Sequence, residues 1–167
     1  LGAPVPQGFV IDSAAEAARR CGDELSGPLV AALAHALESR GWMDLPLAVR
    51  SSASTEDSAG ASFAGIYRSC LNVCGHAALI EAVRSVLDSN GEPAAMAYRE
   101  RLGLGADPSR MAVVVMPLLP AVASGVAFTC DPLSGREDQW IIHANWGLGE
   151  SLVGGLVDAD EYRLQEH

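Results

Sequence analysis

Apolar residues recur at helical spacing in two segments of the first half of the chain. In residues 28–40 and 76–89 they follow one another three or four positions apart, as on the buried face of an amphipathic helix. Pro28 suits a first helical turn, Gly41 predicts the end of the first helix, and Asn90-Gly91 predicts the end of the second. Shorter helices are predicted over residues 14–21 and over residues 93–102, the latter with Arg99 exposed.

Short apolar runs bounded by turn-forming residues predict the strands. They lie at residues 5–11, 47–50, 66–73, 111–119, 125–130 and 140–144, with a hairpin turn at residues 131–135. Residues 51–65 are predicted to form a loop of small residues. A helical first half and a β-rich second half indicate an α+β fold, which we divide into a mainly helical lobe, residues 1–110, and a β-rich lobe, residues 111–167.

The basic residues exclude two kinds of site, because all eleven of them are arginines. A phosphate-binding P-loop requires a lysine after its last glycine, and Schiff-base catalysis requires a lysine amine. Twenty-one acidic residues give a net charge of -10. A surface this acidic repels a phosphate backbone, so we expect no nucleic-acid partner.

No segment of the sequence predicts a membrane anchor. The longest apolar run, residues 111–126, is interrupted by Pro117, Pro120 and Gly125 and falls short of the roughly 20 residues of a membrane helix. The first residues lack the basic and apolar regions of a signal peptide. The four cysteines lack the paired spacing of a zinc site, which favours free thiols and a cytoplasmic location.

The stretch around Arg50 is the strongest candidate for chemistry. Arg50 follows a short apolar strand, and serines, small residues and Gly65 follow it. A guanidinium stays charged and requires an anion or carbonyl groups, while small residues let backbone N–H groups approach a phosphate. The alternative is an ion pair of Arg50 with Glu56 or Asp57, and residue types alone leave the two interpretations equal.

A second glycine-rich stretch, NWGLGES, covers residues 145–151. It resembles a dinucleotide-binding fingerprint only in part, because Leu152 stands where the third glycine belongs. A connection between two strands is therefore the favoured interpretation. Glu150 within it is either a carboxylate close to a site or a solvated or capping residue.

Residues 49–73, VRSSASTEDSAGASFAGIYRSCLNV, resemble the signature of the N-terminal nucleotide-binding domain of the phosphoenolpyruvate synthase family. The same domain occurs in pyruvate phosphate dikinase and rifampicin phosphotransferase. Three further segments resemble that domain in the same order: APVPQGFVI at residues 3–11, ASGVAFTCDPLSG at 123–135, and NWGLGESLVGGLVDADEY at 145–162. The resemblance therefore extends over essentially the whole chain.

The resemblance implies an ATP-grasp fold, in which two α+β lobes bind ATP and Mg²⁺. It also implies transfer of a phosphoryl group from ATP to a histidine on a separate domain, and from there to pyruvate or to an antibiotic hydroxyl. Arg50 matches the family's arginine on the ATP phosphates, and Ser69 matches a phosphate-side hydroxyl. The family's loop over the nucleotide corresponds to Ser62, Phe63, Ala64 and Gly65.

The sequence also departs from the family's pattern. The family's Gly-Gly-Lys-Gly segment would lie upstream of Leu1, and its magnesium-binding glutamate downstream of His167, so we expect the metal ligands outside this chain and the isolated chain to be inactive. Met116 stands where relatives usually carry a glutamine close to the nucleotide. A thioether lacks the hydrogen-bonding groups of an amide, which leaves a non-catalytic nucleotide-binding or interaction module as an alternative.

Overall fold

The computed structural model describes residues 4–12, 24–53, 57–58, 61–62, 67–101, 111–132, 134–136 and 138–165, with no side chains described at 57–58 and 61–62. Two units divide the chain, Leu1–Leu118 and Leu119–His167, and each is described by itself. The first unit contains β1 (Phe9–Ile11), α1 (Gly27–Arg40), β2 (Leu47–Ala53), β3 (Asp57–Ser58), β4 (Ala61–Ser62), β5 (Ser69–Val73), α2 (Gly75–Ser89), α3 (Pro93–Arg101) and β6 (Met111–Pro117). The helical first half is confirmed over the described residues, while the helix predicted at residues 14–21 lies outside them.

The first unit is built on an antiparallel four-stranded sheet of order β1-β6-β2-β5, and β3 and β4 form a separate pair. Side chains of β6 alternate between two faces, as a strand requires. Met111, Val113 and Val115 are fully buried, whereas Ala112, Val114 and Met116 are half-buried on the opposite face. The buried face packs against residues of α1 and α2, which include Leu33, Leu37, Leu79, Val83 and Val86.

The ends of α1 follow the sequence signals closely. Proline occupies its first turn, and Gly41 adopts the left-handed conformation at φ 66°. The backbone N–H of Gly41 donates to Glu38 O at 3.1 Å, and that of Trp42 donates to Leu37 O at 2.9 Å, so the last carbonyls of the helix are satisfied. The predicted stop at Gly41 is therefore confirmed.

Strand β2 is longer than predicted. It continues through Ser51 and Ser52 to Ala53, where these small residues pair in register with Val113, Ala112 and Met111 of β6. The prediction of a loop beginning at Ser51 was wrong, because pairing with β6 imposes an extended conformation that the small residues do not favour themselves.

A β-bulge in β5 interrupts the pairing of β5 with the start of β2. Leu47 pairs with Val73 and Val49 pairs with Cys70, so one residue of β2 between these pairs opposes two of β5. Asn72, inside this irregularity, has a φ of 57°, and no other non-glycine residue among those described has a positive φ. The bulge absorbs one residue, which keeps both Cys70 and Val73 facing Val49 and Leu47.

We expect Asn72→Ala to lower the free energy of unfolding by about 1 kcal/mol, because a left-handed conformation costs alanine more than it costs asparagine or glycine. Asn72→Gly removes the same side-chain contacts without that cost and is the matched control. Urea denaturation of the three proteins provides the measurement. An alanine variant as stable as the glycine variant would contradict this role of Asn72.

Three polar residues are buried beside the end of α2, namely Ser89, Asn90 and Arg99. The Arg99 guanidinium donates to Asn90 Oδ1 at 3.0 Å and to Asn90 O at 2.9 Å. The predicted exposure of Arg99 was therefore wrong: the side chain is 2% exposed, because it caps the carbonyl that α2 leaves unpaired at its end.

The second unit is an antiparallel three-stranded sheet of order β7-β8-β9, formed by β7 (Ala123–Phe128), β8 (Gln139–Trp146) and β9 (Asp160–Gln165). The predicted turn between the first two strands is confirmed, since the N–H of Gly135 donates to Asp131 O at 2.8 Å. A Cβ atom added at Gly125 would lie only 2.8 Å from His143 O, so β7 tolerates no side chain at this position. The short helix α4 (Glu150–Val153) lies between β8 and β9.

The antiparallel strands confirm an α+β fold with a β-rich second half, although β9 was not predicted. Strand β6, which the sequence analysis assigned to the lobe of residues 111–167, pairs with β1 and β2 inside the first unit. The assignment of two lobes itself stays a prediction. None of the helices in the described ranges is long and apolar enough to cross a membrane.

Candidate functional site

The candidate site is the face of the first sheet that α1 and α2 do not cover, called the open face here. Arg50 of β2 lies directly opposite Ser69 of β5 and directly opposite Val114 of β6. Residues paired in this way project to the same side of a sheet, with Cβ atoms about 5 Å apart. Both Arg50 and Ser69 are exposed, so the two side chains project from the same side of the sheet into solvent.

Met116 lies on the open face as well. It pairs with Ala48, and Ala48 is two residues from Arg50, so both project to the same side as Arg50. Met116 is half-buried, and an added Cβ at Gly8 would lie 3.4 Å from the Met116 Cβ. Met116, the residue that departs from the family's pattern, therefore lies diagonally across from Arg50 on the neighbouring strand.

Ser52 also belongs to this face, although the sequence did not predict it. Ser52 is exposed, is two residues beyond Arg50 and pairs with Ala112. The alternation of side chains along β2 would have placed Ser52 on the same face as Arg50, but only if the strand was known to continue past Arg50. On β1, Val10 pairs with Val114, and 63% of the surface of Val10 is exposed. Val10 therefore forms an apolar margin of the open face.

The charge of Arg50 has no partner among the side chains that the structure describes. Glu56 and the side chain of Asp57, the two carboxylates of the ion-pair alternative, lie outside those described, so that alternative stays a prediction. An exposed guanidinium beside a hydroxyl is able to bind an oxyanion through two parallel N–H donors. The arrangement fits a phosphate group at this place.

The loop residues of the predicted site are described only at its start. Ser62 belongs to β4, where it pairs with Asp57, and its side chain is not among those described. Phe63, Ala64 and Gly65 lie outside the described residues. Their predicted role over a nucleotide therefore stays a prediction.

Glu150 belongs to the second unit, in the connection between β8 and β9 that the sequence analysis favoured for this stretch. Two side-chain hydrogen bonds stabilise this connection. Asn145 Nδ2 donates to Ser151 Oγ at 2.8 Å, and Ser124 Oγ donates to Gly147 O at 2.7 Å. Glu150 is exposed as the first residue of α4, where a carboxylate interacts favourably with free N–H groups.

The clearest electrostatic contacts of the second unit lie on β8 and β9. Glu161 accepts from Arg163 Nε at 2.7 Å and contacts His143 Nε2 at 3.2 Å. The hydrogen bond from Arg163, followed by the contact with His143, lowers the pKa of the Glu161 carboxyl below its usual value. Because these groups are exposed, their contribution to stability is small and is screened by salt.

No group of three His, Cys, Asp or Glu side chains within the described residues could bind a metal ion. Magnesium at a nucleotide site takes one or two carboxylates together with phosphate oxygens. The chemistry that the described residues of the open face supply is that of a cation and hydroxyl groups.

Comparison with protein families agrees with this chemistry. Residues 21–167 match the family described as pyruvate phosphate dikinase, AMP/ATP-binding domain. The chain belongs to that family. It is 42% identical over 116 residues to a phosphoenolpyruvate synthase of Aeropyrum pernix, an alignment that covers 70% of this chain and 14% of the relative. It is 41% identical over 143 residues to a rifampicin phosphotransferase of Streptomyces sviceus, covering 86% of this chain and 16% of the relative.

The matched family is that of an AMP/ATP-binding domain, and the relatives that share it include a phosphoenolpyruvate synthase and a rifampicin phosphotransferase. A probable phosphoenolpyruvate synthase of Methanocaldococcus jannaschii, 40% identical over 125 residues, is similar to 75% of this chain, which covers 10% of that relative. The chain thus spans about a sixth or less of the curated relatives named here. Both types of enzyme carry a domain like this one, so the domain alone does not separate them.

Proposed function

We propose that this chain is the nucleotide-binding part of a phosphotransferase, and that the open face binds the phosphates of ATP. The observation that carries the proposal is the register of β2 and β5, which places the exposed guanidinium of Arg50 opposite the Ser69 hydroxyl. Arg50 has no described partner that would neutralise it. Membership of an AMP/ATP-binding family supports ATP as the ligand whose phosphates this pair would bind.

The physical role of the face follows from the charge of the reaction. Phosphoryl transfer spreads negative charge over the non-bridging oxygens, so catalysis depends on positioned donors and cations. In this proposal Arg50 donates two N–H groups to one phosphate and Ser69 donates its hydroxyl to a neighbouring oxygen. Strand pairing fixes both residues, so little reorganisation is required when the nucleotide binds.

We further propose that the two units are lobes of an ATP-grasp fold, and that Ser62, Phe63, Ala64 and Gly65 form the loop that covers the nucleotide. Magnesium, when bound with the nucleotide, would neutralise part of the charge on the phosphates. Its protein ligands are proposed to lie outside the described side chains. Arg50 is the proposed catalytic residue of this chain.

The proposed reaction of the complete enzyme moves a phosphoryl group from ATP to a histidine of another domain. A P–O bond of ATP breaks, a P–N bond to the imidazole forms, and the departing phosphate oxygen retains the electron pair. Pyruvate is the proposed final acceptor. A hydroxyl of a rifampicin-type antibiotic is the alternative, because relatives of both kinds are about equally similar to this chain.

Acid-labile phosphohistidine tests the proposal directly. The full-length protein is incubated with ATP and Mg²⁺, and phosphohistidine is measured by mass spectrometry, before and after addition of pyruvate or rifampicin. We expect phosphohistidine to form and to disappear with pyruvate, and to be absent from Arg50→Ala. Loss with rifampicin alone would favour the antibiotic enzyme.

Met116 favours a second candidate, a module that binds the nucleotide without catalysis. An amide at this position would donate and accept hydrogen bonds, whereas the thioether does neither well. ATP binding without any phosphohistidine in the full-length protein would support this second candidate. No ATP binding in the intact protein would instead favour a role in interaction with other proteins.

Met116→Gln is expected to strengthen ATP binding about three- to tenfold, because one or two hydrogen bonds to the nucleotide are added. Met116→Leu is the control of similar volume without an amide and should leave the affinity unchanged. Calorimetric titration of ATP-Mg²⁺ into each protein gives the comparison. Equal affinities of the glutamine and leucine variants would show that position 116 does not contact the nucleotide.

A further inference from the structure

Arg68, the residue immediately before β5, forms more side-chain contacts than its exposure suggests. Its guanidinium donates to Ser85 Oγ at 3.2 Å and to Glu92 Oε1 at 2.8 Å. Its backbone N–H donates to Ser89 Oγ at 3.1 Å. Three hydrogen bonds therefore connect the start of β5 to α2 and to the turn that follows it.

The connection ends in the interior of the first unit. Ser89 is 1% exposed, and its hydroxyl donates to Val86 O at 2.6 Å while it accepts from Arg68. A buried hydroxyl with both a donor and an acceptor partner has a fixed orientation. The backbone at Arg68 is therefore attached to a rigid part of the helix.

The direction of the Arg68 side chain separates it from the open face. Successive residues of an extended chain project to opposite sides, and Ser69 projects to the side of Arg50. The Arg68 guanidinium contacts groups of α2 and of the turn after it, on the covered side of the sheet. It is therefore not placed to touch a ligand on the open face, and any effect on such a ligand has to pass through Ser69.

We propose that Arg68 is a positioning residue for the phosphate site: the hydrogen bonds of its guanidinium to Ser85 and Glu92, added to the backbone bond with Ser89, determine where the Ser69 hydroxyl lies opposite Arg50. This inference rests on the proposed function. The Arg68–Glu92 pair is half exposed, with 53% and 41% of the side-chain surfaces accessible. Exposed pairs add little to global stability, so the main consequence of removing this one is local.

The test measures ATP affinity in Arg68→Ala, in Ser69→Ala and in the double variant of the full-length protein. We expect Arg68→Ala to weaken ATP binding about three- to tenfold, as for the loss of one well-placed hydrogen bond. In the Ser69→Ala background the same change should have no further effect, because the two residues act in series. Arg84→Ala is the control: it removes an exposed arginine of α2 whose described partner is Glu81.

Hydrogen exchange provides a second readout that does not depend on ATP. Backbone amides of residues 69–71 should exchange about tenfold faster in Arg68→Ala than in Arg84→Ala, while amides within α2 stay protected. Equal protection of residues 69–71 in both variants would overturn the positioning role, as would an effect of Arg68→Ala that is undiminished without Ser69. If Ser69→Ala leaves ATP affinity unchanged, the phosphate role of Ser69 fails first and the positioning role falls with it.

Discussion

Replacing Arg50 with alanine is expected to lower the affinity for ATP about 100-fold, equivalent to about 3 kcal/mol. Arg50 is exposed and lies opposite Ser69, and in the proposed site its N–H donors bind a phosphate. Two charge-assisted hydrogen bonds are lost together in this variant. Because Arg50 contributes no described contact to the core, the melting temperature should stay close to that of the original protein.

Two further variants separate geometry from charge. Arg50→Lys retains the positive charge but not the paired donors, so we expect an affinity between those of the original protein and Arg50→Ala. Arg84→Ala makes the same change in net charge at an exposed helix position and should not affect binding. Calorimetric titration with ATP-Mg²⁺ measures all four proteins. Equal losses for Arg50→Ala and Arg84→Ala would show that only the net charge of the chain matters.

Leu79→Ala is expected to lower the free energy of unfolding by about 3 kcal/mol. Leu79 belongs to α2, is 0% exposed and packs in the core beneath the sheet. Removing three buried carbon atoms loses their transfer free energy and leaves a cavity that the surrounding side chains fill only in part. The loss is large compared with the total stability of a typical domain.

Leu45 offers a control of the same residue type, since 43% of its surface is exposed. Leu45→Ala should cost less than about 1 kcal/mol, because a large part of the removed surface is already in water, unlike that of Leu79. Urea denaturation followed by circular dichroism compares the two variants. Similar losses for both would contradict the position of Leu79 in the core. At temperatures where Leu79→Ala is folded, its ATP affinity should be unchanged, because Leu79 lies on the covered side of the sheet.

Local signals in the sequence were sufficient for α1, α2 and α3, whereas α4 was not predicted. Pro28 and Gly41 mark the ends of α1 through backbone requirements that do not depend on the rest of the fold. Local signals of this kind do not predict the burial of Arg99. Its partner Asn90 lies nine residues earlier and becomes its neighbour only after α2 ends and the chain turns into α3.

The strands show the same limit more strongly. β9 consists mainly of polar residues, all of them exposed, and it is a strand because it pairs with β8. Ser51 and Ser52 extend β2 for a similar reason. Tertiary pairing thus overrides weak local preferences at these positions.

For the candidate site, the sequence suggests individual residues, but it does not predict which of them share a face of the sheet. Arg50 and Ser69 are 19 positions apart, and they become neighbours through a register that depends on the bulge at Asn72. The left-handed conformation of Asn72 is not evident from an asparagine in an apolar strand. The location of Met116 on the same face as Arg50 also required the register of β2 with β6.

The most direct test of the account uses the methyl groups of two methionines on one strand. Met116 lies on the open face of β6, and Met111 is 0% exposed on the opposite face. With methionine methyl groups labelled for NMR, ATP-Mg²⁺ should shift the Met116 signal in a saturable manner and leave Met111 nearly unchanged. Adenosine at the same concentration, which lacks the phosphates, should have a much weaker effect. Saturable ATP binding that leaves Met116 unmoved would place the nucleotide elsewhere and contradict the proposed site.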